Sequence, residues 1–367
     1  TGDIRLGQGS VLSVESGAAR TPDGNWRGGA GGDLSLASLT SGGAGGQLLL
    51  GGELRGYGTT GAGTLALRGD TVSIGADTPA ASLNLGSDFF AKGFARYEVV
   101  GNQRLEVAAD SQVQVTRPVY RLRGDARSAA EALELWTPPQ YLENAAKGVL
   151  TQRAGASLLL QAGSELDQSA QQVASRWLQV VSGSRIQVDD GQSITLRSPG
   201  GLQVDGSLVA HGGQITLADT VVQEALTSAV RFEPHQRAIR VGAGALLDVS
   251  ARAVTAVDAR GERYGELRQG GSIVIGSTFD PNLGGALAPD LFVVVERGAV
   301  LDASGSQMSI DVPGVGATRL ASQGGSISLS SINGLYVDGE LRAAAGGADY
   351  PKFSLGAVLA ARFGPDP

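Results

Sequence analysis

The feature that most constrains this chain is a set of very short apolar-alternating runs cut apart by glycine. The stretch from Leu202 to Leu217 holds three of them: Leu202-Gln-Val204, Ser207-Leu-Val-Ala210 and Gln214-Ile-Thr-Leu217, separated by Gly206 and by Gly212-Gly213. Period-two alternation broken by glycine reads as strand, turn, strand, turn, strand. Two-residue hairpins favour Asn-Gly or Asp-Gly between longer strands. Runs of three or four residues joined by bends suit one coil of a β-solenoid, where the chain turns a corner and pairs with the coils above and below.

The unit recurs. Ile239-Arg-Val241 and Gly244-Ala-Leu-Leu247 precede Gly270-Gly-Ser-Ile273-Val-Ile275. Val293-Val-Val295 and Gly298-Ala-Val-Leu301 precede Gly324-Gly-Ser-Ile327-Ser-Leu329, and Leu335-Tyr-Val337 begins it again. Fragments stand earlier, at Gly31-Gly-Asp-Leu34-Ser-Leu36 and Gly45-Gly-Gln-Leu48-Leu-Leu50. The uneven spacing places loops of different length at one corner, after the second strand, which a stacked solenoid tolerates.

The 56 glycines among 367 residues follow no Gly-X-Y period, which excludes collagen, and ordinary apolar content excludes wholesale disorder. The chain has no cysteine, which leans towards an exported protein held by backbone pairing. Net charge is −7 and the basic residues are scattered singly, so no nucleic-acid groove is expected. No apolar run is long enough for a transmembrane helix. With no initiator Met and no terminal cap at Phe363-Gly-Pro-Asp-Pro367, the expectation is an internal piece of a longer chain.

The periodicity changes between Ser128 and Gly148. Ser128-Ala-Ala-Glu131 has the form of a capping box, and Thr137-Pro-Pro-Gln140 repeats that logic with Pro138 at a first helical position. Gly148 suits a helix C-terminus. Two short helices are therefore predicted, over 129–136 and 138–147, with Leu133, Trp136, Tyr141 and Leu142 pressed on the solenoid wall. A second insert, 218–238, is given a short helix over 221–229. The resulting plan has coils over 1–117, a helical insert over 118–156, and coils with loop inserts over 157–367.

Sequence motifs supply few reactive groups. Two Arg-Gly-Asp tripeptides, Arg68–Asp70 and Arg123–Asp125, would bind integrin only if splayed on an exposed loop; chance in a Gly- and Arg-rich chain is the stronger reading. Gly28-Gly-Ala-Gly-Gly-Asp33 matches the start of a calcium nonapeptide but stands as a single copy, so a glycine corner explains it better. His211 and His235 lack metal or triad partners at recognisable spacing, and His211 reads as a solvated turn residue. Asp189-Asp190 could be the acidic pair of a polysaccharide-cleaving β-helix, but adjacent strand residues face opposite ways and a polar turn is preferred. Trp26, Trp136, Trp177 and the Phe89–Tyr97 cluster could stack on sugars, with core packing and cap cover the preferred role.

The repeated apolar-x-apolar-x-Gly-x-Leu-x-Ala unit followed by Gly-Gly-x-Ile-x-Leu resembles the filamentous haemagglutinin type of large exoprotein. So does Leu83-Asn-Leu85 with Asp88-Phe-Phe90, Gly93-Phe94 and Tyr97. The resemblance covers most of residues 31–350. It implies a right-handed parallel β-helix, export from a Gram-negative cell through an outer-membrane two-partner transporter, and display at the cell surface for adhesion, aggregation, biofilm formation or virulence. The family's Asn-Pro-Asn-Leu secretion motif is met only by Asp280-Pro-Asn-Leu283, far along the chain.

The fold expected is thus all-β: a right-handed parallel β-helix with short helical and loop inserts. The function expected is a non-enzymatic shaft presenting binding inserts, with a β-helical polysaccharide lyase or hydrolase as the alternative. No catalytic residue, cofactor or metal ligand is assigned. Ligand contacts, to an exopolysaccharide or a host-cell glycan or receptor, are expected at Trp136, Tyr141, Arg123 and Asp125 on the first insert.

Overall fold

The computed structural model describes residues 2–38, 46–129, 131–163, 175–220, 237–278, 291–331, 333–347 and 359–362, and within them every regular element is a strand. The architecture is all-β and solenoid-like, with each coil contributing to three faces. The Leu202–Leu217 stretch supplies one strand to each: Gly201–Val204, Ser207–Val209 and Gln214–Asp219. All three pair in parallel with the coils on either side.

On the first face Leu178, Leu202, Ile239, Val293 and Leu335 stand in register from coil to coil. On the second, Ile186, Leu208, Leu247, Leu301 and Leu341 do the same. On the third, Ile194, Ile215, Ile273 and Ile327 follow one another. These columns point inward, and Leu208, Ile215, Ile239, Leu247 and Leu301 are fully buried. Each such side chain contributes roughly 1.5–3 kcal/mol by leaving water.

The glycine pairs before the third face have a reason beyond turning. A Cβ on Gly213 would stand 2.0 Å from the carbonyl oxygen of Gln192; one on Gly271, 2.0 Å from that of Gly213; one on Gly325, 1.8 Å from that of Gly271. Each glycine rests on the backbone of the coil before it. The following amides donate along the same line, Ser272 N–H to Gly213 at 2.9 Å and Ser326 N–H to Gly271 at 3.0 Å. Only glycine permits that approach.

Long connections are not confined to the one corner expected from the sequence: Ala162 to Trp177, Asp219 to Ala238 and Thr278 to Phe292 join the third face to the first, while the hairpins leave at the second corner, between second and third faces. There the chain forms five antiparallel hairpins among the described residues: Ala18–Arg20 with Trp26–Gly28, Val119–Leu122 with Leu133–Trp136, Tyr141–Asn144 with Val149–Gln152, Ala253–Val257 with Arg263–Leu267, and Gln307–Val312 with Gly316–Ala321.

This corrects the helical insert expected over 118–156. Half of the capping box forms: Ser128 Oγ accepts the Glu131 N–H at 3.3 Å, while the Glu131 carboxylate accepts the Arg127 N–H at 3.1 Å in place of that of Ser128. These bonds close a single turn. Leu133-Glu-Leu-Trp136 alternates with period two and pairs with Val119–Leu122, and a helix of eight to ten residues has little stability of its own. Gly148, at φ +62°, belongs to a hairpin turn. The helix expected over 221–229 lies outside the described residues.

At the N-terminal end the aromatic stretch fills the interior. Phe90, Phe94 and Tyr97 are fully buried with edge-to-face contacts at 5.5 and 6.0 Å, and the Tyr97 hydroxyl accepts the Lys92 N–H at 2.7 Å. These rings are core, as the preferred reading had them.

If the glycine column carries the stacking, Gly271→Ala should cost about 1–3 kcal/mol, because the added methyl meets backbone that cannot yield. Gly124→Ala, with open space around it, should stay within about 0.5 kcal/mol. Equal urea midpoints for the two variants would overturn the argument.

Candidate functional site

Two coils have short second corners, at 188–192 and 210–213, and the flanking hairpins meet above them. The tip of the 253–267 hairpin donates Ala259 N–H to Ala145 C=O at 3.4 Å on the 141–152 hairpin. Beneath this arch lies a cluster of interlocked polar and charged side chains.

Asp189-Asp190 forms its floor. The pair does sit in a turn, yet Asp189 is 3% exposed and Asp190 1%. The strand before it ends at Gln187, so both carboxylates turn towards the hairpins. Arg153, just past the 141–152 hairpin, grips Asp189 with two parallel bonds, Nε to Oδ2 at 2.8 Å and Nη2 to Oδ1 at 2.6 Å. Its remaining nitrogen donates to Pro138 C=O at 2.8 Å. Such a fork fixes position as well as charge.

Asp190 holds the hairpin itself. Its Oδ2 accepts the Tyr141 hydroxyl at 2.7 Å, its Oδ1 lies 3.5 Å from Arg252, and its backbone carbonyl accepts the Gln152 amide at 2.5 Å. Tyr141 and Gln152 are cross-strand partners, so both sides of the hairpin are fastened to one residue. Arg268 completes the ring through Gln152 and through Glu266 at 3.1 Å. Burial first, then the Asp190 carboxylate, pushes the Tyr141 phenol up to about 12, so it remains a neutral donor through the physiological range.

His211 stands beside this cluster at the next coil's corner. Ser250 Oγ and Asp248 Oδ1 lie 3.3 and 3.6 Å from the same ring nitrogen, Nδ1. A proton relay needs its two partners on opposite nitrogens, so this Ser-His-Asp grouping is not arranged as a triad. His211 is also more enclosed than a solvated turn residue, its side chain 20% exposed.

The other singled-out residues scatter. Arg68-Gly69-Asp70 lies inside the strand Thr64–Ile74 with Asp70 buried, away from any loop tip. Arg123-Gly124-Asp125 is in an exposed turn, but Arg123 bonds Asp125 at 3.3 Å, so the two charges are drawn together. Trp26 donates to Ala126 C=O at 3.2 Å and ties that turn to the first hairpin. Trp136 lies under the Arg121 guanidinium at 5.3 Å, a cation–π contact on the hairpin surface. Of the four residues expected to contact ligand, Tyr141 enters the arch, while Trp136, Arg123 and Asp125 do not. In the glycine stretch, Asp33 accepts the Thr64 N–H at 2.6 Å, and a Cβ on Gly31 would lie 2.2 Å from the Gly56 carbonyl oxygen. That stretch is close coil packing. Among the described residues no three His, Cys, Asp or Glu side chains gather as metal ligands.

Sequence reasoning missed Arg153, Arg252 and Arg268. Each flanks a hairpin and lies 36 to 79 residues from Asp189, so only the coil repeat, read as a stack, could have joined them.

The geometry makes the cluster a fastening. Asp189→Asn would strand the Arg153 guanidinium, and stability should fall by about 3–5 kcal/mol, with faster amide exchange across 141–152; unchanged exchange there would refute the clamp. A second fastening joins the last two hairpins. Arg263 donates to both Asp311 oxygens, at 3.1 and 3.0 Å, and these bonds hold the Asp311 carboxyl at about 2 against the ordinary 3.8. Because the folded value is depressed, this contact supports the fold above pH 3.8 and is lost as pH falls through about 2. NMR titration should find that midpoint in the native protein and a return towards 3.8 in Arg263→Ala. No family model, curated protein or solved structure matches the chain.

Proposed function

We propose that the chain is a segment of a secreted bacterial surface exoprotein of the filamentous haemagglutinin type. In this reading it is a right-handed parallel β-helical shaft, exported through an outer-membrane partner, that presents inserts for adhesion, aggregation or biofilm formation. The right-handed sense follows the rule for parallel crossovers. The observation that carries the reading is that the hairpins leave one corner of a uniform stack and fasten to one another. A regular wall offers little variety, whereas a ridge of dissimilar hairpins held in fixed relation offers a large, rigid contact surface. On that ridge Leu135, Leu142, Val149, Val257 and Val315 are exposed.

Cleavage of polysaccharide is the less favoured reading. A lyase or hydrolase needs a carboxylate, phenol or imidazole free to move a proton at the substrate. The carboxylate oxygens of Asp189 and Asp190 are engaged by Arg153, Tyr141 and Arg252, and Tyr141 is held protonated.

The folded chain should bind host epithelial cells or bacterial exopolysaccharide saturably in co-sedimentation, while a heat-unfolded sample does not. Asp125→Glu should bind as well as the parent, since the charges of that turn are already paired. Binding to neither surface would defeat the adhesin reading, and release of reducing ends would favour the enzyme.

A further inference from the structure

The outer side of the first face carries a second surface that the hairpin ridge does not include. Successive outward positions in one column are Arg104, Trp177, Gly201, Ala238, Phe292 and Gly334. The next outward column holds Glu106, Gln179, Gln203, Arg240, Val294 and Tyr336. Trp177 is 36% exposed and lies down on the sheet: a Cβ on Gly201 would fall 2.0 and 2.1 Å from its benzo-ring atoms. Phe292 covers Gly334 in the same manner, at 3.3 Å. Glycine under each ring lets an aromatic plane lie flat against the wall. Gly201 lies beneath the indole, so the open floor between the two rings is Ala238, in a shallow trough whose ring-bearing residues, Trp177 and Phe292, stand three rungs apart, about 14 Å at the spacing of paired strands.

The polar groups along this trough fall into two kinds. Its charges are already satisfied, Arg104 by Glu106 and Arg240 by Glu296 at 2.8 Å. Unpartnered among the described residues are uncharged groups, the Trp177 indole N–H and the Gln179 amide. Below Trp177 the column runs into a hollow of about 320 Å³ lined by Thr71, Ser73, Thr78, Ala80, Arg104 and Glu106.

We propose that this trough, centred on Trp177 and Gln179, binds a neutral glycan chain lying along the stack. The apolar face of a sugar ring packs on the flat indole, and the Gln179 amide and indole N–H take its hydroxyls. A face without free charge suits an uncharged polymer over an acidic one. This deepens the adhesin reading and rests on it, but moves one binding surface from the hairpins to the wall.

Native affinity electrophoresis of the full chain through dextran, hydroxyethyl-cellulose and galactomannan tests it, with alginate and heparin as charged comparators. At least one neutral polymer should retard the protein equally at low and high NaCl, because no ionic contact is involved. Trp177→Ala and Gln179→Ala should each weaken retardation about tenfold or more while circular dichroism shows the fold retained, and Gln179→Ala, which removes no packing, should also keep the parent's melting temperature. In a Trp26→Phe/Trp136→Phe background, the fluorescence of Trp177 should shift on adding that polymer. Retardation by no neutral polymer, or retardation of Trp177→Ala equal to that of the parent, overturns the inference. The adhesin reading fails separately, on loss of cell and exopolysaccharide binding. If Trp177→Ala keeps all binding and Leu142→Asp loses it, the hairpins are the adhesive surface and the trough is not.

Discussion

The structure depends on one contact repeated: a backbone amide of one coil donating to a carbonyl of the coil before, at a spacing only glycine allows. From Gln192 through Gly213 and Gly271 to Gly325 the main chain rests on itself. That approach sets the register, and the register sets everything packed inside. Because the pairing is parallel and in step, each apolar residue meets a like residue above and below. A one-residue slip would turn a whole inward column to solvent, so the interior and the glycine corner specify the same alignment.

A stack with that corner can lengthen anywhere the corner is open, and the described hairpins all do so at the same corner. The described hairpins leave after the second strand and turn back along the wall. Their internal pairing is antiparallel and owes nothing to the ladders, so their position must be fixed by other means. Buried charge does this at the arch, where Arg153 and Asp189 are nearly enclosed, and exposed charge does it further on, at Arg263 and Asp311. The first is deep and two-pronged and holds hairpin to wall. The second holds hairpin to hairpin and gives way to acid.

The coils were legible in the sequence because their signal is local. Alternation and glycine name the strands, and the recurrence of Gly-Gly-x-Ile names the corner from which loops depart. The insert misled because two local signals compete there. Ser128 does satisfy the Glu131 amide, yet the alternation of Leu133 and Leu135 fixes the outcome, since a hairpin strand gains a partner and a short isolated helix does not. The arch was invisible for a different reason. Its members are far apart in sequence, and Asp189-Asp190 looks like any polar turn until the stack brings Arg153 and Arg252 over it.

The arch has a mechanical meaning. In a stacked rod pulled along its axis, the coil-to-coil bonds lie in series, and the weakest rung sets the strength of the whole. The joined 141–152 and 253–267 hairpins span the two neighbouring coils whose second corners, 188–192 and 210–213, are short, fastened through Asp190 and through Arg268. They supply a second path for load, parallel to the ladder, across a stretch that has no hairpin of its own. A brace placed there turns a chain of independent rungs into a section that must yield together or not at all.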